Sequence, residues 1–135
     1  MEDRYLFKGK RIDNGEWVQG ALFNGESHCI IGQEIKFSQY TEHECKIVGY
    51  EVDRDTICQC TGLKDKNGKL IWENDIIKCK FGIAVAVWDK SEWRIKCVKD
   101  NIWRKDLHYW VVEDNQRTEV VGNIFDDSEL LESEE

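Results

Sequence analysis

The 135-residue sequence contains no proline and no long apolar run. Without proline, the edges of any sheet must be protected by charged side chains and glycine, a role that the scattered lysines can fill. A membrane-spanning helix needs about 20 predominantly apolar residues, and no run approaches that length. The first residues, MEDRYLFKGKR, also lack the apolar core of a signal peptide. We therefore expect a cytoplasmic protein with no membrane association, whose six cysteines are reduced.

Charge is unevenly distributed along the chain. It carries 19 basic and 27 acidic residues, a formal net charge of −8, and the last ten residues, DDSELLESEE, supply six of the acids and no base. Removing these six acids leaves 21 acidic residues against 19 basic ones, a net charge of −2. We interpret residues 126–135 as an acidic tail that favours solubility and disorder. The overall charge argues against non-specific DNA binding, which depends on Lys and Arg.

Strand patterns dominate the rest of the sequence. Trp93, Ile95 and Cys97 alternate with charged residues, as in a half-buried strand. The runs predicted as strands cover residues 16–23, 28–32, 46–52, 56–63, 69–72, 76–81, 83–88, 93–98, 109–113 and 118–125. Only a short turn at Asp127–Leu131 is predicted as helical. The pattern predicts a mainly β chain of short antiparallel strands, in which an N-terminal β subdomain over residues 1–60 packs on a hairpin plus SH3-like barrel over residues 61–125.

The stretch TGLKDKNGKLIWENDIIK contains DKNG, which has the look of a calcium-binding loop. If its glycine occupies position 6 of an EF-hand loop, position 1 is Leu63 and position 12 is Asn74, and neither supplies the required carboxylate. The flanking runs also favour strands, whereas an EF-hand needs helices. Asn and Gly tolerate the positive φ of a tight turn. We therefore predict a hairpin tip with Asp65, Asn67 and Gly68 as its structural turn residues.

Metal-binding and catalytic patterns are weak. Cys58 and Cys60 form C-x-C, whereas structural zinc sites pair ligands as C-x₂₋₄-C, and reduced cysteine is also a good core residue. His28 and Cys29 are adjacent, but a thiol nucleophile needs a base that is close in space. The sequence contains no G-x-S-x-G, H-E-x-x-H, phosphate-binding loop or dinucleotide-binding motif. We predict no enzymatic activity, no catalytic residue, no metal site and no cofactor.

The segment WRKDLHYW combines aromatic and basic residues in a loop-like context. Its candidate binding residues are Trp103, Arg104, Lys105, His108 and Trp110. Aromatic rings interleaved with bases can stack on nucleobases or hold a peptide. The alternative interpretation, which the large buried mass of aromatic side chains favours, is that the tryptophans fill the core while the charges stay solvated.

Three blocks of the sequence resemble the YopX-like family of bacteriophage and prophage proteins. They are FKGKRIDNGEWVQG (Phe7–Gly20), TICQCTGLKDKNGKLIWENDIIK (Thr56–Lys78) and EVVGNIFDDSELL (Glu119–Leu131). The blocks follow the family's order and span nearly the whole chain. The resemblance implies a mainly β chain with an SH3-like barrel in its C-terminal part, and no assigned biochemical role, so it carries over no catalytic residue. The sequence departs from the family pattern at Cys58, Cys60 and Asn74. Asn still tolerates the positive φ that is expected at position 74.

The residues and the resemblance together predict a phage-encoded, non-enzymatic accessory protein in the cytoplasm of a bacterial host cell. We expect it to act as a binding module for a protein partner. Single-stranded nucleic-acid binding through WRKDLHYW is the alternative, and inhibition by an acidic tail that mimics DNA is the weaker one. The sequence leaves open whether the protein forms a homo-oligomer.

Overall fold

The computed structural model describes residues 3–36, 45–79, 82–97, 106–113 and 118–132. The chain forms two compact units, Met1–Gln59 and Cys60–Glu135. Antiparallel strands dominate both units, which confirms the predicted mainly β class. No helix within the described ranges is long and apolar enough to cross a membrane.

The strands begin and end within about two residues of the predicted runs, except that β3 extends to Lys36 instead of ending at Gly32 and that β1 was not predicted. They are β1 Phe7–Lys10, β2 Trp17–Asn24, β3 Cys29–Lys36, β4 Cys45–Val52, β5 Cys58–Lys64, β6 Leu70–Trp72, β7 Asp75–Cys79, β8 Gly82–Asp89, β9 Glu92–Cys97 and β10 Glu119–Asn123. The short helical segments are two 3₁₀ turns, Asp3–Tyr5 and Arg54–Thr56, a π-helical segment, Tyr109–Glu113, and α1, Glu129–Glu132. β5 passes from the first unit into the second.

In the first unit the strands lie in the order β4, β3, β2, β1, with the start of β5 beside β1. Alternation along each strand sends one set of side chains inward and the other outward. The buried core consists of Val18, Cys29, Ile31 and Val52, with Phe7, Leu22, Tyr50 and Ile57 packed against it. The outward positions of β2, β3 and β4 form a continuous surface.

Backbone hydrogen bonds curl this sheet so that the chain after β1 meets the end of β4. Arg11 and Val52 form an isolated antiparallel bridge, and the backbone N–H of Asp53 donates to the carbonyl of Lys10 at 2.8 Å. A Cβ at Gly9 would lie only 3.0 Å from the Cβ of Val52, so glycine permits the close approach of the two strands. The first unit therefore approaches a small barrel, held by one bridge instead of a full ladder.

The second unit contains the β5–β6 hairpin and a four-stranded antiparallel sheet in the order β10, β7, β8, β9. Its buried core consists of Ile71, Ile77, Cys79, Ala84, Ala86, Ile95, Leu107, Trp110 and Val111. In the part of the chain that the structure describes, β10 and β9 are the edges of this sheet, which is open. The SH3-like barrel is therefore not confirmed and stays a prediction.

The segment YWVVE, predicted as a strand, is instead the π-helical segment Tyr109–Glu113. The prediction was wrong because it relied on the aromatic and β-branched composition of these residues. Leu107, Trp110 and Val111 are all buried, and they have the i, i+3, i+4 spacing of one helix face. Packing of this face against the core therefore outweighs the local preference for a strand.

The first part of the acidic segment has defined secondary structure. A carboxylate oxygen of Asp127 accepts a hydrogen bond from the backbone N–H of Asn123 at 3.1 Å. Backbone bonds from Leu130 to Asp127 and from Leu131 to Ser128 then lead into α1, which confirms the short turn predicted at Asp127–Leu131.

The β8–β9 hairpin turns at Lys90 and Ser91, within the predicted turn DKSE. Both residues have positive φ, 53° and 62°, a conformation that costs a non-glycine residue about 1–2 kcal/mol. Next to the turn, Trp88 and Trp93 are cross-strand partners, and their rings pack edge to face with centroids 5.0 Å apart. The tryptophan pair therefore stabilises a turn that its own residues do not favour.

Replacing Ser91 by glycine should stabilise the protein. Glycine adopts positive φ without a steric cost but loses more backbone entropy on folding, so we expect the free energy of unfolding to rise by about 0.5–1 kcal/mol. Urea denaturation of Ser91→Gly and wild type measures the difference. Ser27→Gly, a change in the exposed β2–β3 connection, is the matched control and should give no gain. An equal gain in both variants would contradict the strain argument.

Candidate functional site

The hairpin tip predicted from DKNG lies between β5 and β6, as expected, and is organised by one carboxylate. Oδ1 of Asp65 accepts hydrogen bonds from the backbone N–H groups of Asn67 and Lys69, each at 2.9 Å. Its other oxygen, Oδ2, accepts from the backbone N–H of Val120 in β10 at 2.9 Å. Gly68 takes the positive φ of the turn, 81°. Both oxygens of Asp65 are thus engaged by backbone N–H groups of the chain itself, as expected of a structural turn residue.

The environment of Asp65 favours its ionised form. Burial alone would raise the pKa of this carboxyl, since the residue is only 7% exposed. The backbone hydrogen bonds from Val120, Lys69 and Asn67 outweigh that effect and hold the pKa below its usual value. The charge of Lys69 adds to the lowering.

The turn after the hairpin, WENDII, is also architectural. Asn74 has φ of 70°, the positive value predicted at this position. Its backbone N–H donates to the carbonyl of Ala86 at 2.7 Å, and its own carbonyl accepts from Ile124 at 3.1 Å. The Oδ2 atom of Asp75 accepts from the backbone N–H of Trp72 at 2.8 Å. This turn therefore connects β6 to β7 and positions both against neighbouring strands.

Only part of the predicted binding segment lies within the described residues. Trp103, Arg104 and Lys105 lie outside the described residues. His108 is exposed, whereas Trp110 is 6% exposed and belongs to the core of the second unit. The carbonyl of Trp110 accepts a hydrogen bond from the buried hydroxyl of Thr118 at 2.8 Å. Of the two that the structure describes, only His108 has an exposed side chain.

The adjacent His28 and Cys29 do not act on each other. Nδ1 of His28 lies 2.8 Å from Oε2 of Glu51, whereas the thiol of Cys29 is buried and donates to Oδ1 of Asn24 at 3.3 Å. Within the described ranges, no group of three or more His, Cys, Asp and Glu side chains is placed to hold a metal ion. The absence of metal and catalytic sites stays a prediction.

A cleft of about 510 Å³ in the first unit is lined by Arg11 and Arg54 among others. Both guanidinium groups have partners within the chain. Arg54 donates to Oδ1 of Asn24 at 3.0 Å and to the carbonyl of Gly25 at 2.6 Å. Arg11 donates to both carboxylate oxygens of Asp13, and this hydrogen bonding lowers the pKa of Asp13. Both arginines thus stabilise loops of the chain itself. For this reason we do not select this cleft as the candidate site.

An exposed apolar surface lies on the outward face of β2, β3 and β4, and sequence analysis missed it. Phe23 and Ile30 are cross-strand partners, and Phe23 and Ile47 are 63% and 81% exposed. A Cβ on Gly49 would lie 2.8 Å from Cγ2 of Ile30, and a Cβ on Gly32 would lie 3.6 Å from Cγ2 of Ile47. The two isoleucines thus lie over paired glycines. We call Phe23, Ile30 and Ile47 the apolar strip.

A second surface missed by sequence analysis is a cleft of about 510 Å³ on the β8–β9 hairpin. It is lined by Val87, Trp88, Asp89, Lys90, Arg94, Ile95, Lys96 and Cys97. Trp88 is 55% exposed. As the cross-strand partner of Trp93 it lies on one face of the hairpin, whereas Arg94 and Lys96, the partners of Val87 and Val85, lie on the other. We call this cleft the β8–β9 cleft.

The family model described as YopX protein matches residues 6–132. The chain belongs to the YopX family. The comparison of this YopX family member with curated proteins found no match.

The three blocks that carry the YopX resemblance build strands and turns. The first spans β1 and the start of β2, the second runs from the 3₁₀ turn before β5 to β7, and the third runs from β10 to α1. The hydrogen bonds of Asp65 connect the second block to the third. Both surfaces defined above lie within the matched range but outside these blocks.

The Asp65→Asn variant of this YopX family member should be much less stable than wild type. An amide cannot accept three hydrogen bonds with the strength of a buried carboxylate, so we expect a loss of about 2–3 kcal/mol at neutral pH. Chemical denaturation measures it. Asp55→Asn, at an exposed acid in the second 3₁₀ turn, is the matched control and should change little.

The same pair of proteins tests the lowered pKa of Asp65. Because the pKa is lower in the folded state, the stabilisation is complete above the unfolded value of about 4 and is lost as the pH falls through the folded value. The stability gap between wild type and Asp65→Asn should therefore be constant from neutral pH to about 4 and shrink below it. A gap that stays constant into strong acid would contradict the assignment.

Proposed function

We propose that this YopX family member is a phage- or prophage-encoded accessory protein of the bacterial cytoplasm that binds a protein partner and catalyses no reaction. The observation that carries the proposal is the apolar strip, in which Phe23 and Ile47 keep 63% and 81% of their surface exposed. Single exposed apolar residues are ordinary, whereas contiguous ones mark interaction surfaces.

The arrangement of the strip supports a protein as its ligand. Its three residues lie on three neighbouring strands, so a partner that covers them contacts β2, β3 and β4 together. Exposed carboxylates border it, because Ile30 is the cross-strand partner of Glu51 and Ile47 is that of Glu34. An apolar centre with a polar rim is typical of protein–protein interfaces.

The alternatives from the sequence stay predictions. Single-stranded nucleic-acid binding by WRKDLHYW depends on Trp103, Arg104 and Lys105, which lie outside the described ranges. Mimicry of DNA by residues 126–135 has no further support, since Asp127 hydrogen-bonds within its own chain. The non-enzymatic interpretation is supported by the separate hydrogen-bond partners of His28 and Cys29.

Affinity capture from lysogenic or infected host cells tests the protein-binding proposal. The tagged full chain should retain a protein partner. The Phe23→Asp and Ile47→Asp variants should recover about tenfold less of it or lower still, because each places an unpaired charge in the centre of the interface. Ile12→Asp is the matched control, because Ile12 is 60% exposed but lies outside the strip. Circular dichroism checks that all variants are folded. Equal recovery of the partner by strip variants and control would refute the proposal.

A further inference from the structure

The outer edge of β4, in the first unit, presents unpaired backbone groups. β4 is the outermost strand of its sheet in the part of the chain that the structure describes. The carbonyl of Glu51 accepts a hydrogen bond from the backbone N–H of Ile12 at 3.0 Å, so the backbone groups of Glu51 point away from β3. Along an antiparallel strand, every second residue directs its N–H and C=O to the same side. Those of Ile47 and Gly49 therefore point to this outer side as well, and no described residue bonds to them there.

This edge has little protection against pairing with a further strand. Natural sheets block their edges with proline, β-bulges or charged side chains. β4 contains no proline, and its pairing with β3 is regular over all eight of its residues. Lys46, on the face opposite to Ile47, is the only charged residue between positions 45 and 50. Ile47 is 81% exposed beside the edge. A strand added here would pair the open backbone groups and cover this isoleucine.

We infer that two copies of the chain pair through this edge, β4 against β4 in antiparallel orientation, with Ile47 of each copy at the two-fold axis. The inference goes beyond the proposed function, because it needs no other protein. A two-fold interface requires a surface that is complementary to itself. An antiparallel edge meets this requirement, since a residue at the axis exchanges two backbone hydrogen bonds with its own copy. The pairing extends the sheet sideways, so it joins the two apolar strips and leaves their outward faces open.

Contacts within the first unit determine the register of this pairing. Ile12 occupies the edge beside Glu51. An axis one or two residues beyond Ile47 would place part of the second copy's β4 opposite Glu51, where Ile12 already lies. An axis at Lys46 would place two like charges directly opposite each other, which is destabilising. With the axis at Ile47, the paired segment of residues 45–49 ends before Glu51. The two Ile47 side chains then lie directly opposite each other on the outward face.

Sedimentation velocity of the full-length protein, over a concentration series through the micromolar range, tests the inference. Wild type should dimerise reversibly, as expected of a small interface. Ile47→Asp and Ile47→Lys should each weaken dimerisation by about tenfold or more, because each replaces an apolar contact at the axis by two like charges. An equimolar mixture of these two variants should dimerise again, a result specific to a contact of residue 47 with itself. Phe23→Asp, on the same face but on β2, is the matched control and should dimerise as wild type.

A second pair of variants tests the backbone hydrogen bonds at the axis. Because the N–H of Ile47 points away from β3, proline at this position leaves the β3–β4 ladder intact. Ile47→Pro should dimerise about tenfold more weakly than Ile47→Ala, which lacks the same side chain but keeps the N–H. Circular dichroism checks that all variants are folded.

Three results of these measurements would overturn the inference. They are a protein that stays monomeric throughout the series, a dimer that the Ile47 variants leave unchanged, and a dimer that Phe23→Asp abolishes. Phe23→Asp should lose the captured protein partner while it still dimerises, so failure of the protein-binding proposal and failure of this one are distinguishable. A monomeric protein whose captured partner is lost in Ile47→Pro and kept in Ile47→Ala would also overturn the inference and assign the edge to a strand of another protein.

Discussion

The buried carboxylate of Asp65 is the interaction on which the second unit depends most. It orders the tip of the β5–β6 hairpin through two backbone N–H groups and connects that tip to β10 through a third. The neighbouring Lys66 donates its backbone N–H to the carbonyl of Thr118 at 3.0 Å. The hydroxyl of Thr118 in turn donates a hydrogen bond to the carbonyl of Trp110. One acid thus begins a chain of contacts through the hairpin, the last strand and the π-helical segment. The hydrogen bonds compensate the cost of burying its charge.

Much of the strand content could be predicted from the sequence, because alternation and turn residues are local signals. The hairpin at DKNG and the turn at Asn74 follow from the positive φ that Asn and Gly tolerate, and the turn at DKSE follows only from its run of polar residues. The bond from Val120 to Asp65 could not be predicted, since the two residues are 55 positions apart. The π-helical segment was missed because its aromatic and β-branched residues favour strands, and only the position of the core determines which of them are buried.

The candidate surfaces were harder to predict than the strands. Sequence analysis selected WRKDLHYW because its bases and aromatics are adjacent in the chain, and Trp110 proved to be a core residue. The apolar strip joins Phe23, Ile30 and Ile47, which only the register of three strands brings together. The signal available in the sequence was the pairs Leu22-Phe23, Ile30-Ile31 and Ile47-Val48, in which apolar residues occupy outward as well as inward positions. The β8–β9 cleft likewise depends on which side chains of a regular hairpin remain uncovered.

The bridge between Arg11 and Val52 sets the order in which the first unit can assemble. β1, β2, β3 and β4 pair with their neighbours in sequence, so each pairing closes only the stretch of chain between two consecutive strands. The bridge closes the chain around all four strands and therefore carries a larger loss of loop entropy than any of the three hairpins, as does the pairing of β1 with the start of β5. It should form after the three hairpins, as non-local contacts generally do. Its opening leaves those hairpins paired, so the curl of the sheet is a property that the first unit can lose and regain without unfolding.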